Sequence, residues 1–177
     1  GLSGTLRNAD ALLVLIDAAA DDCLECLVFC LDSLKEKKIV REDTAPGMRG
    51  ISSAKVLLLA AKADLESSGE NIQIMKELGP RGSELLPVST VTGRGLEELR
   101  EKIFQTLQVI RIYTKVPGKE PDLEKPFILK RGSTIQDLAG TIHRDLPRLM
   151  KIARIWGSAR YDGQSVMRDY ILRDRDV

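Results

Sequence analysis

Lys55-Val56-Leu57-Leu58-Leu59-Ala60-Ala61-Lys62-Ala63-Asp64-Leu65 is the stretch on which the reading turns. Val56–Ala60 is an unbroken apolar run of strand length. A continuous run of this kind suits a parallel strand buried on both faces. Parallel α/β sheets bind their ligands beyond the carboxyl ends of the strands, and Lys62 and Asp64 stand just past such an end. A carboxylate there can accept two parallel hydrogen bonds from a guanine edge, from N1–H and from the 2-amino group. Adenine presents an acceptor at N1 and would leave the carboxylate unpaired, which is costly in a dry site. The Lys stem can lie along a base while its ammonium stays wet. The plain alternative is that both residues are solvated members of an ordinary strand-to-helix turn.

One helix and one strand later comes Pro87-Val88-Ser89-Thr90. In this order and spacing, Ala61-Lys62-Ala63-Asp64 and Pro87-Val88-Ser89-Thr90 resemble the two guanine-recognition segments of P-loop GTPases. The first is usually Asn/Thr-Lys-x-Asp; the second places a backbone N–H on the guanine 6-oxo group. The resemblance implies that Asp64 reads N1 and N2, Lys62 flanks the base, the Thr90 N–H meets the 6-oxo group and Ser89 steadies that loop. Two residues depart from the pattern. Ala61 replaces an amide that braces the site, and Val91 stands where many relatives carry Lys.

Outward from this stretch the pattern repeats. Ala11–Ile16 is a second apolar run, ending at Asp17. Asp21 or Asp22 can cap the helix that follows. Leu24, Leu27, Val28, Leu31 and Leu34 keep helical spacing, so Asp22–Lys37 reads as an amphipathic helix with a Lys-rich last turn. Residues 38–53 read as a long loop containing Pro46, Gly47 and Gly50. Gly69–Gly79 reads as a short helix, Glu84–Val88 as a third strand and Leu96–Leu107 as a helix with Glu97 and Glu98 in its first turn. The order β-α-β-α-β-α predicts a right-handed parallel α/β unit, which the resemblance implies is part of a GTPase-like sheet.

Cys23, Cys26 and Cys30 fall on the first helix. They read either as a metal or redox cluster or as small apolar residues near the buried stripe. The sequence holds no fourth Cys, and its one His, His143, is far away. The odd count in one short segment is not a secreted disulfide framework.

With 177 residues, 43% hydrophobic and 30% charged, the chain is ordinary for a globular protein of one medium or two small domains. No apolar run approaches the roughly 20 residues of a membrane span, and Gly1–Asp10 is polar and mixed. The expectation is a cytoplasmic protein without membrane contact. The net charge of +1 conceals an asymmetry: residues 1–108 hold 13 Lys and Arg against 17 Asp and Glu, whereas residues 109–177 hold 14 against 9. A basic second module, residues 109–177, is predicted to follow an acidic first one, residues 1–108.

Val109–Val116 alternates apolar and polar residues, which predicts a half-buried strand. A Pro-rich turn over 117–126 follows, then a strand at Phe127–Lys130 and a capped helix start at Thr134 with Asp137 three residues on. Ile152–Trp156 reads as another strand, Tyr161-Asp162-Gly163-Gln164 as a hairpin signal and 174–177 as the approach to one more strand. This order fits a β-grasp fold. Ile112-Tyr113-Thr114-Lys115, Gly132-Ser133-Thr134-Ile135, Ile142-His143-Arg144-Asp145, Ile155-Trp156-Gly157-Ser158 and Leu172-Arg173-Asp174-Arg175-Asp176-Val177 resemble the TGS domain, in particular the TGS domains that follow the GTPase domain of the Obg/DRG family.

That resemblance implies a GTP-binding protein associated with translation, whose TGS module has a regulatory, RNA-contacting or ribosome-contacting role. Arg111, Tyr113 and Lys115 could share one open face, where cations beside an aromatic suit RNA; a merely solvated strand face is the alternative. His143 is expected to cap or pack, and Trp156 to anchor the core. The sequence carries no G-x-x-x-x-G-K-[ST] phosphate loop, and residues 1–108 carry no D-x-x-G. GTP or GDP and Mg²⁺ are therefore expected of an intact parent, and this chain alone is not expected to hydrolyse GTP. The edge beside Ala11–Ile16 should be bare, patched by the chain's own termini or covered by another copy. A non-enzymatic adaptor with a vestigial nucleotide half is the rival reading. A dinucleotide-binding domain is disfavoured, because no G-x-G-x-x-G follows any strand.

Overall fold

The computed structural model describes residues 2–41, 50–79, 84–116 and 118–177. They form two compact units, Gly1–Leu107 and Gln108–Val177. The predicted turn residues Pro46, Gly47 and Pro117 lie outside the described residues.

The first unit opens with α1 (Leu2–Arg7) and β1 (Leu12–Asp17), followed by α2 (Cys23–Glu36). Two short strands come next, β2 (Val40–Arg41) and β3 (Ile51–Ser52), paired in parallel. They lie inside the stretch predicted to be loop. Ile39, Val40 and Ile51 are buried there with Leu12, a small core that segments of two residues are too short to announce by periodicity. A single 3-10 turn, Ser53–Lys55, leads into β4 (Val56–Ala61), then α3 (Ser68–Leu78), β5 (Leu85–Pro87) and α4 (Leu96–Leu107).

The main sheet runs β1-β4-β5, with both pairs parallel. One face packs Val14, Ile16, Leu58 and Ala60 against Leu27 of α2 and Ile72 and Met75 of α3. The other packs Leu59, Leu86 and Val88 against Leu96 and Leu99 of α4. Helix α4 stops short of β1, so Leu13 and Leu15 are 44% and 60% exposed. The expectation of burial on both faces therefore fails for this strand. Among the described residues no strand pairs along its outer edge.

In the second unit, β6 (Val109–Ile112) pairs antiparallel with β7 (Phe127–Lys130). Helix α5 (Ile135–Ile142) starts with a full capping box. The Thr134 side chain accepts from the Asp137 N–H, and the Asp137 carboxylate accepts from the Thr134 N–H. The turn α6 (Leu146–Leu149) follows, then β8 (Ala153–Ile155) antiparallel to β9 (Gln164–Val166). Gly163 takes the left-handed conformation of the predicted hairpin, φ 77°.

The pairing of β6 with β7 ends at Ile112, four residues before the predicted strand end, because the next partner is different. Tyr113 N–H donates to Asp176 O (2.9 Å), and Arg175 N–H donates to Arg111 O (2.7 Å). On its other side Val177 exchanges two 3.0 Å hydrogen bonds with Trp156. The last residues thus bridge the β6 and β8 segments. Ile110, Ile112, Leu138, Ile155 and Leu172 fill the core beneath α5. This is the β-grasp arrangement expected from the sequence, beside a parallel α/β unit.

Candidate functional site

Strand β4 delivers Ala61–Asp64 to the carboxyl end of the sheet, and β5 delivers Val88–Thr90 beside it. Backbone bonds lock the two loops together. Ala63 N–H donates to Val88 O (3.1 Å), and Arg94 Nη1 donates to Ala63 O (2.8 Å). Lys62 takes the left-handed conformation, φ 59°, unusual for a residue with a side chain. That turn sends its ammonium to Asp17 Oδ2, 2.5 Å away at the end of β1. The Lys62 ammonium, helped by the Ala19 N–H, holds the Asp17 carboxyl below the usual carboxylate range.

Asp64 is exposed, and its carboxylate has no hydrogen bond or ion pair among the described residues. Ser89 is buried, and its Oγ accepts from the N–H groups of Val91 and Thr92, both at 3.2 Å. Its backbone closes the loop: Ser89 N–H donates to Arg94 O (2.9 Å) and Gly93 N–H to Ser89 O (3.0 Å). The Thr90 N–H is left without an acceptor among the described residues. A folded loop that spends its other donors internally and leaves one N–H open beside an unpaired carboxylate can read a planar edge with one acceptor and two donors.

Ala61 carries no side-chain amide, and the hydrogen bonds around it come from its backbone and from Asn71. Ala18 N–H donates to Ala61 O (3.0 Å), and Asn71 Nδ2 in α3 donates to Ala18 O and Ala20 O at 3.0 and 3.2 Å. Asp17, Asn71 and Arg94 escaped the sequence reading. For Asp17 a signal existed, since it ends an apolar run just as the 61–64 turn does.

In the second unit, Arg111 and Lys115 of the three residues predicted to share a face have different partners. Arg111 forms a bidentate pair with Asp174, Nη2 to Oδ2 at 2.6 Å and Nε to Oδ1 at 3.1 Å, and its N–H also donates to Oδ1. The guanidinium holds the Asp174 carboxyl below its ordinary value. Lys115 stacks its ammonium 4.0 Å above the Trp156 ring. Tyr113 and Lys115 line a cavity that Arg111 does not. His143 ends α5, where its Nδ1 accepts from the Asp145 N–H at 3.2 Å.

The three cysteines are free. Cys23 is buried, which raises its thiol pKa, and Cys26 donates to Asp22 Oδ2 at 3.4 Å. Among the described residues no group of three or more His, Cys, Asp or Glu converges on a point. No helix is long and apolar enough to cross a membrane.

Residues 110–177 match the TGS domain family. The second unit is a TGS domain. Over 122 residues the chain is 37% identical to an uncharacterized GTP-binding protein of Methanocaldococcus jannaschii, covering 68% of this chain and 31% of that protein. Over 94 residues it is 37% identical to developmentally-regulated GTP-binding protein 1 of Xenopus laevis, covering 52% of this chain and 26% of that one. The chain thus spans about a third or less of the length of these curated relatives. A GTP-binding protein from Pyrococcus horikoshii shares the fold, with a TM-score of 0.64 at 18% identity over 100% of this chain and 81% of that one. The Obg/DRG-type resemblance read from the sequence, with a TGS domain after a GTPase-like α/β unit, therefore holds.

Proposed function

We propose that this chain is the guanine-recognising and TGS-bearing portion of a translation-associated GTP-binding protein. Its relatives carry the GTP-binding name. One observation carries the assignment of residues: the unpaired Asp64 carboxylate and the open Thr90 N–H stand on two loops tied together by the Ala63–Val88 bond. Asp64 accepts from guanine N1–H and the 2-amino group, and Thr90 N–H donates to the 6-oxo oxygen. Lys62 flanks the base with its ammonium held by Asp17, and Ser89 holds the Thr90 loop. The reading covers the base alone. No residue here is assigned to the phosphates or to Mg²⁺, and hydrolysis belongs to the intact parent.

The TGS domain, with residues 109–177 as its proposed extent, would contact RNA or the ribosome through its basic surface. Arg144, Arg148, Lys151 and Arg160 are exposed there. Phosphate contacts of this type weaken steeply with salt. Pairing of a second copy along the outer β1 edge is a further consequence, to be read from sedimentation.

Isothermal titration of GDP, with ADP as control, tests the guanine reading. GDP should bind and ADP should not, and Asp64→Ala should abolish the signal. Equal binding of GDP and ADP, or binding that survives Asp64→Ala, would refute it.

A further inference from the structure

The TGS domain contains a cavity of about 190 Å³ between α5–α6 and the β6 and β8 segments. Its walls are apolar: Ile112, Ile135, Leu138, Ala139, Met150 and Ile155 face it. Its charged lining residues are Lys115 and Arg154, with no Asp or Glu. Arg154 is exposed and Lys115 half-buried, so both ammonium and guanidinium can reach solvent at the opening. Trp156 also lines the cavity, beneath the Lys115 ammonium.

Volume and chemistry together restrict the occupant. An apolar cavity of about 150 Å³ accepts benzene, whereas drug-sized ligands need about 300 Å³ or more. The space therefore takes one ring or an acyl chain of similar size. A nucleobase has this size but needs partners for its polar edge, and unsatisfied edge groups buried against aliphatic walls are penalised. An aliphatic or phenyl body meets no such penalty. Lys115 and Arg154, the charged side chains of the lining, favour an anionic head.

We propose that this cavity binds a small amphipathic carboxylate, with its apolar body between α5–α6 and the β6 and β8 segments and its head on Lys115 and Arg154. The inference does not depend on the guanine reading.

Trp156 is the one tryptophan of the chain, so its emission reports on the cavity directly. Hexanoate and phenylacetate should each give a saturable change in emission, together with backbone amide shifts confined to the residues named above. Hexanol should bind about tenfold more weakly or worse, and acetate should not saturate. Arg154→Glu, an exposed substitution that leaves the core intact, should cut hexanoate affinity about tenfold and leave hexanol unchanged. Ala139→Leu, which fills the cavity from α5, should abolish both; amide dispersion would show that the domain remains folded. Absence of saturation by either carboxylate would overturn the proposal. So would equal affinity for hexanoate and hexanol with no response to Arg154→Glu. Uridine monophosphate binding more tightly than hexanoate at the same amides would assign the cavity to a nucleotide instead.

Discussion

Lys62 and Asp17 join the carboxyl ends of two adjacent parallel strands through a 2.5 Å contact between Nζ and Oδ2. The link fixes the direction of the Lys62 stem, which the left-handed backbone at that residue has already turned away from the strand. Both side chains are well exposed, 58% and 42%, so water screens the pair and it adds little to stability. Its consequence lies in preorganisation of Lys62 for the base-flanking role proposed for it.

Asp17→Ala should accordingly leave the thermal midpoint nearly unchanged and weaken GDP binding several-fold. Calorimetric titration beside a melting curve separates the two. A large loss of stability with intact binding would place Asp17 in the fold rather than in the site.

Ser89→Ala should act in both ways at once. Removing the buried Oγ leaves the Val91 and Thr92 N–H groups without their acceptor, at a cost of about 1–3 kcal/mol. Because these bonds shape the loop that presents Thr90, GDP affinity should fall while the discrimination against ADP, which rests on Asp64, persists. Urea denaturation and paired titrations check the two halves of this expectation.

Gly95→Ala should destabilise the first unit. Gly95 sits at φ 72°, and an added Cβ would lie 2.1 Å from Pro87 O. The left-handed conformation alone costs a residue with a side chain about 1–3 kcal/mol, and the clash adds to it. Gly93 has the same sign of φ with nothing within 4 Å of an added Cβ, so Gly93→Ala should cost clearly less. Denaturation midpoints of the two variants test the ordering.

The Arg111–Asp174 pair should make the TGS domain acid-sensitive. Asp174 has a depressed folded-state pKa, chiefly through its hydrogen bonds from the Arg111 side chain. Its contribution is therefore fully present above the unfolded value near 3.8 and is lost as pH falls through the lower folded value. Asp174→Asn should cost about 1.5–3 kcal/mol at pH 6, and the gap to the unaltered protein should close at acid pH. Urea midpoints across that range decide it. A gap that stays constant would show that the pair contributes by shape and not by charge.

Much of the architecture was legible in local patterns. Helix α4 and strand β7 lie where their periodicity put them, and the Thr134–Asp137 capping box needs only neighbours in sequence. The order of elements was enough for a parallel α/β unit followed by a β-grasp unit. The two guanine-type loops were legible because each follows its strand directly. What escaped was set by distant partners. Strands β2 and β3 are too short to have a period, and the one-sided burial of β1 depends on how far α4 reaches. Arg111 and Lys115 read as an open cationic face because alternation reports only direction from the strand. Arg111 pairs with Asp174 and Lys115 stacks over Trp156, each partner tens of residues away.

The sequence by itself therefore determined the longer elements and their order, since these follow from hydrophobic period, caps and spacing within a few residues. Only the tertiary structure decided which polar groups remain open. Hydrogen bonding and ion pairing are satisfied between segments far apart in the chain. Among the described residues Asp64 and the Thr90 N–H are left without partners, whereas Lys62, Arg111 and Asp176 are not.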